Sequence, residues 1–502
     1  MNISGSASSP AETRVDLLAI ACDDDAVTET AHVAALDLAL AGSLRRAIQD
    51  ERFRGKAGQS LLLHTQDRLP ATRVVLIGVG PRAALRPVTL LPFAGRTARI
   101  AAAVGAASVG LVPPPALSAD TDEIAAALAQ GVLLGSYRFD RYLSDETRAA
   151  RPPAAVQLLL GAGAPEATSG IARGQVVGAA VMRARDLVNE PAAVMTPTRL
   201  AEVAREIAAQ GPDELDVLVL GPQECQDRGM GLFLAVAQGS VEEPRFIHLS
   251  WKPPQAHSLP RPPRRVVLVG KGVTFDSGGL SLKPNDAMLD MKTDMAGAAA
   301  VIAAMEAVAR LRLPVEVHAL AACTENMPSG RAYKLGDVLR SKAGKTVEIN
   351  NTDAEGRLTL ADALSYGLEL RPDAVLDFAT LTGACVVALG PHIAGVMSND
   401  DGLLAQWLGA ARTAGEEMWH LPLPDRLADQ LKSEIADMKN TGERWGGALT
   451  AGLFLKEFVA AVPWAHVDLA GPSSADKEHG HIGKGGTGFG VSTIIEYLRK
   501  LG

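Results

Sequence analysis

Five apolar runs in the second part of the chain, Val217 to Leu220, Arg245 to Trp251, Arg265 to Val269, Val315 to Ala322 and Ala374 to Leu381, are continuous instead of alternating. A strand with one wet face alternates apolar and polar residues, whereas an uninterrupted apolar strand needs cover on both faces. That requirement leaves few architectures. Between the runs lie stretches of helical composition, Pro197 to Ala209, Ala296 to Leu311 and Thr359 to Gly367. Strands and helices in alternation build an α/β fold, with a mostly parallel central sheet covered by helices. Such folds hold ligands in the crevice at the carboxyl ends of their strands.

The first third alternates in the same way. Asp16 to Ala21, Arg73 to Val79 and Ala155 to Leu160 read as strands, and Val33 to Gln49, Thr97 to Ala107 and Asp120 to Leu134 as helices. A Gly/Ala/Ser stretch from Gly161 to Gly170 marks a boundary, and Ile171 to Leu187 reads as a helix bridging the two parts. The expectation is a smaller N-terminal αβ domain, 1–170, and a larger C-terminal αβ domain, 171–502.

Composition narrows the function classes. Forty-nine Lys plus Arg against 57 Asp plus Glu give a net charge of −8, so neither nucleic acid nor an anionic membrane attracts the chain as a whole. The longest apolar stretch, Ile100 to Val112, runs into Pro113, Pro114 and Pro115, short of the roughly 20 residues of a membrane span. Leu17 to Ala21 is too short for a signal-peptide core. Cys22, Cys225, Cys323 and Cys385 form no CxxC pair; reduced thiols in the cytoplasm are the expectation.

Two clusters carry chemistry. Lys271, Asp276, Lys283 and Asp294 follow a buried apolar run, among glycines that allow tight turns. Asp353, Glu355 and Arg357 occupy alternate positions, which in extended chain would share one side. Four crowded carboxylates repel and are costly to desolvate unless cations neutralise them. Two divalent metals would balance four negative charges and leave Lys283 and Arg357 facing developing anionic oxygen. Lys271 can bind a metal only after losing its proton. Ordinary ion pairs are the competing reading for either cluster, and spacing alone supports only an acidic site suited to metal.

Weaker signals lead nowhere. The glycines of Gly78 to Ala83 lack an acidic partner for a ribose, Gly270-Lys271-Gly272 lacks a third glycine, and Gly483-Lys484-Gly485 lacks the Ser or Thr of a phosphate loop. His479 and His481 read as a solvated Gly-rich loop, and Cys323 and Cys385 as core residues.

The strings GKGVTFDSGGLSLKP, MKTDMAGAAAV, ENMPSGRAYKLGDV and NTDAEGRL resemble the signatures of the leucyl aminopeptidase family, the two-metal cytosolic aminopeptidases of family M17. The resemblance extends through DLVNEPAAVMTPTRLAE, RGMGLFLAVAQGS, FATLTGACVVALG and WAHVDLAGP, covering nearly everything from about residue 185 onward. It implies a metal-dependent exopeptidase that removes leucine and other uncharged residues from short peptides, its catalytic domain being 171–502. Carried onto this sequence, it makes Asp276 and Glu355 metal-bridging, with Lys271 and Asp294 completing one site and Asp353 the other, for two Mn²⁺ or Zn²⁺ ions. Lys283 and Arg357 match the catalytic cations, Arg357 with a bound bicarbonate. Met291, Thr380, Gly383 and Ala470 would lie near the side-chain pocket. The resemblance also implies a homohexamer with the N-terminal domain serving assembly. An alternative it leaves open is a hexameric scaffold with a DNA-binding or regulatory role, which the complete set of acidic and basic residues argues against.

Overall fold

In the computed structural model, which describes residues 1–502 apart from 26, 149–150 and 255–261, the chain divides into two units. The first comprises Met1–Ala179 with Asp476–Lys484, and the second Ala180–Ala475 with Gly485–Gly502. The division falls inside the helix Thr168–Asn189.

The first unit is built on a six-stranded sheet in the order Asn2–Ser6, Ala155–Leu159, Ser108–Val112, Leu17–Asp23, Arg73–Gly80, Ser60–His64. All neighbours run parallel except the edge strand Ser60–His64, which is antiparallel. The helices Leu90–Ala103 and Thr121–Ser136 cover it, and their backbones meet where a Cβ on Gly135 would lie 2.3 Å from the Gly95 carbonyl oxygen. The single helix expected over Val33 to Gln49 is two, Ala31–Ala39 and Ser43–Asp50. Ala41 and Gly42 between them have φ of 53° and 83°, a left-handed turn that ends a right-handed helix. The 476–484 segment, read as part of the second half, returns to this unit. There Arg99 donates to the carbonyls of Gly480 and Ile482 and pairs with Glu478.

The second unit holds an eight-stranded mixed sheet in the order Met418–His420, Ala394–Ser398, Trp464–Asp468, Ala374–Ala379, Arg265–Asp276, Glu316–Asn326, Arg245–Trp251, Leu215–Leu220. Its four middle strands, 464–468 to 316–326, are parallel, whereas Arg245–Trp251 and Leu215–Leu220, two of the apolar runs, pair antiparallel. One face is covered by the Ala-rich helix Ala296–Arg310, in which every residue but the last is buried. Gly297 allows the close approach: a Cβ there would meet the Phe378 carbonyl oxygen at 2.0 Å. The helix Gly356–Glu369 is buried along most of its length and shares a core with Val267, Val269, Leu320 and Val375 of the sheet.

The central strand corrects the expected boundary. It does not stop at Val269 but runs to Asp276, staying paired with its neighbour as far as the register Asp276 to Asn326. Lys271 and Asp276 therefore stand on the strand itself, fixed by a ladder of backbone hydrogen bonds.

Candidate metal centre

Carboxylates from three different segments meet at the carboxyl end of the central strands. Asp276 ends the strand 265–276, Asp294 follows the 3-10 turn Met291–Thr293, and Asp353 and Glu355 sit just before the helix 356–369. One oxygen from each of Asp276, Asp353 and Glu355 lies within 4.8 Å of the others. Asp276, Asp294 and Glu355 are buried, and Asp353 is partly exposed.

Two lysines are wedged among them. Lys271 Nζ lies 2.7 Å from Asp294 and 2.8 Å from Glu355, and donates to the Thr380 carbonyl at 3.1 Å. Lys283 Nζ lies 2.9 Å from Asp276 and 2.5 Å from Asp353. Burial alone would depress Lys271, but Asp294, Glu355 and Asp276 outweigh it and hold the ammonium above its usual range. Lys283 is raised in the same way by Asp276 and Asp353. Burial and the negative charge of Asp276 push Asp294, Asp353 and Glu355 upward, against the pull of the lysines. Four carboxylates share two lysines here, and burial and mutual repulsion raise three of the four.

The alternate-residue reading of Asp353, Glu355 and Arg357 does not hold. Asp353 lies in a turn, Glu355 has helical backbone angles (φ −76°, ψ −35°), and Arg357 is in the first turn of the helix. Arg357 is buried, and burial lowers its guanidinium to about 10. It donates from Nη1 to the Asn440 carbonyl at 2.8 Å, while its Nε has no hydrogen-bond partner. Of the four residues expected near a side-chain pocket, Thr380 is tied to the cluster by its hydroxyl, which donates to Asp294 at 2.7 Å. Gly383 opens a helix with no atom within 4 Å of where a Cβ would stand. Ala470 donates its N–H to Asp468 at 3.2 Å. Met291 stands on the turn leading to Asp294, partly exposed.

Comparison with known proteins identifies the family. Residues 182–495 match the catalytic domain of the cytosol aminopeptidase family and residues 18–146 match its N-terminal domain. The chain belongs to the cytosol aminopeptidase family. It is a peptidase, a hydrolase of the exopeptidase kind. The probable cytosol aminopeptidase of Cyanothece sp. is 44% identical over 486 residues, 96% of each chain. That of Geobacter sp. is 43% identical over 504 residues, 100% of each. Among solved structures, a mutant of tomato leucine aminopeptidase superposes with a TM-score of 0.91 at 37% identity, covering 100% of this chain and 96% of its own. The bottromycin maturation enzyme in complex with Mn does so with a TM-score of 0.83 at 37% identity, covering 97% and 99%.

The carboxylate cluster has a supporting layer that sequence reasoning missed. The irregular backbone from 349 to 355 is satisfied by buried side chains. Asn440 accepts from the Asn350 N–H at 2.8 Å and donates to the Asn351 carbonyl at 2.7 Å. Tyr333 and Asn326 both donate to the Thr352 carbonyl, and Asn326 also donates to Asp276 at 2.8 Å. Asn326 and Tyr333 lie within ENMPSGRAYKLGDV, so the motif was visible though their roles were not. Asn440 stands in no quoted motif and leaves no signal in one sequence.

Proposed function

We propose that this cytosol aminopeptidase removes N-terminal residues, preferentially leucine and other uncharged ones, from short peptides at a centre of two divalent metal ions. The observation that carries the reading is the convergence of Asp276, Asp353 and Glu355 oxygens within 4.8 Å. The donor set suits the group: carboxylates accept Mn²⁺ or Zn²⁺, and Asp294 Oδ2 and Glu355 Oε2 are buried with no hydrogen-bond partner. Asp276, Asp294, Asp353 and Glu355, with Lys271 after losing its proton, would hold the ions. When bound, the ions supply Lewis acidity toward a water and a carbonyl.

The chain's own cations have separate tasks in this proposal. Lys283, beside Asp276 and Asp353 at the edge of the cluster, would bring positive charge to the place where the scissile carbonyl oxygen becomes negative once those carboxylates turn to the ions. Arg357, buried and with its Nε unpartnered, would hold an anion such as bicarbonate as a proton carrier. A free terminal amine offers a lone pair, which an internal peptide nitrogen delocalises into its carbonyl; that difference would confine cleavage to the N-terminus. Met291, Thr380, Gly383 and Ala470 would line a pocket without charge. The Mn complex of the bottromycin maturation enzyme and the likeness to tomato leucine aminopeptidase support the metal and the preference.

Assembly as a homohexamer in the cytoplasm, with domain 1–170 serving that assembly, belongs to the same proposal, supported by family membership. Among the described residues no helix is long and apolar enough to cross a membrane. Chelation followed by re-addition of Mn²⁺ or Zn²⁺ tests the reaction: leucine amide hydrolysis should vanish and return with two ions per chain. Full activity in metal-free protein would overturn it.

A further inference from the structure

Beyond the metal cluster, one buried carboxylate joins the two loops that carry most of the proposed side-chain pocket. Asp468 is the last residue of the strand 464–468 and is 0% exposed. It stands in register with Ala379, the last residue of the parallel neighbour 374–379. Both chains leave the sheet here, at the end where α/β sheets bind ligands.

Asp468 holds them together. Its Oδ1 accepts N–H groups from Leu381 at 3.2 Å, Thr382 at 3.4 Å and Ala470 at 3.2 Å, and its Oδ2 accepts the Thr382 hydroxyl at 2.6 Å. The same Thr382 oxygen accepts the Cys385 N–H at 3.1 Å and so starts the helix Gly383–Leu389. Thr380 and Gly383 flank the residues Asp468 grips, and Ala470 is gripped directly. From its other side the 380 loop is tied to the carboxylate cluster, through the Thr380 hydroxyl on Asp294 and the Thr380 carbonyl on Lys271.

A carboxylate is a costly way to pin two loops. Among the described residues no Lys or Arg reaches ion-pair distance of Asp468; the charge of buried Arg357 acts on it from farther off, and backbone N–H groups and one hydroxyl satisfy its oxygens. What it provides is reach: four donors from two loops converge on two oxygens, whereas an asparagine has one acceptor oxygen and would turn its NH₂ toward the remaining donors. We infer that Asp468 is a positioning residue that sets side-chain selectivity, by holding Thr380, Gly383 and Ala470 at a fixed distance from the metal cluster. The inference rests on the proposed aminopeptidase reaction and names what tunes it.

The test uses the metal-loaded, full-length enzyme and the amides of alanine, leucine and phenylalanine. Asp468→Asn should keep the metal content of the wild type while the ratio of kcat/KM for leucine over alanine falls about tenfold, the scale on which pocket contacts discriminate side chains. Thr382→Val should lower the same ratio and Thr382→Ser should restore it. If Asp468→Asn does not accumulate as folded protein, the Thr382 pair decides. An unchanged ratio, or an equal loss on all three amides, in the folded variants overturns the inference while leaving the aminopeptidase reading intact. A wild-type enzyme inert toward every amide overturns both.

Discussion

Replacing Lys271 with methionine, in protein stripped of metal, isolates what the carboxylate cluster costs. Methionine keeps an unbranched stem and removes the charge. The wild-type Nζ sits 2.7 Å from Asp294 and 2.8 Å from Glu355, on a side chain only 4% exposed. Removing one partner of a buried ion pair destabilises by about 3–5 kcal/mol. At about 2 °C per kcal/mol, the scale for units of this size, the midpoint of thermal unfolding at pH 8 should fall by about 6–10 °C. The pH dependence gives the sign. Burial already holds Asp294 and Glu355 above the usual carboxylate range, and losing the ammonium raises them further. A carboxyl raised in the folded state favours folding while protonated and loses that contribution as pH rises through its folded value. The penalty should therefore shrink as the pH is lowered from 8 to 5.5. Thermal scans with chelator at the two pH values measure it. Equal midpoints at pH 8, or a penalty that grows in acid, would refute the reasoning.

Lys283→Ala should retain bound metal and lower kcat on leucine amide by at least roughly a hundredfold, the usual loss of an oxyanion-stabilising donor; a change confined to KM contradicts its role. Gly297→Ala should destabilise by about 3 kcal/mol in urea unfolding, because its Cβ would collide with the Phe378 carbonyl oxygen at 2.0 Å and the Lys271 nitrogen at 3.0 Å, backbone atoms of two central strands. His248 is lowered to about 4, by burial first and then by His318 and Lys252. The unfolded chain takes up that proton first, so stability present above pH 6.5 is lost as pH falls toward 4, by up to about 1.4 kcal/mol per pH unit. His248→Gln should flatten the slope of urea midpoint against pH between 6.5 and 4.5, and an unchanged slope would remove His248 from the account.

The inner strands were legible because burial on both faces writes an unbroken apolar run, as in Ala374–Ala379, buried at every position; Val217 to Leu220, read the same way, belongs instead to an antiparallel edge strand with Leu218 43% exposed. Where a strand carries function the pattern breaks down. Gly270 to Asp276 continues the central strand, yet its Lys, Gly and Asp read as a loop, because the partners of Lys271 come from residues 294 and 355 and that of Asp276 from residue 283. The turn at Ala41-Gly42 was hidden by good helix formers on both sides. Asp276, Asp294, Asp353 and Glu355 were legible as charges placed after apolar runs, but the convergence of three segments is tertiary and no spacing rule describes it. Alternation suggested a shared face for Asp353, Glu355 and Arg357; a turn and a helix start bring the two carboxylates together instead. Asn440 and Asp468 act by gripping backbone groups of distant loops, a role that belongs to the fold and not to any local pattern.

The central claim is that Asp276, Asp353 and Glu355 gather around metal and not merely around Lys271 and Lys283. Anomalous diffraction from crystals grown with Mn²⁺ measures this directly. Two peaks per chain within bonding distance of these carboxylates, with both lysines displaced from their present ion pairs, is the result the account predicts. A map with no peak there and both lysines still paired to the carboxylates would contradict it.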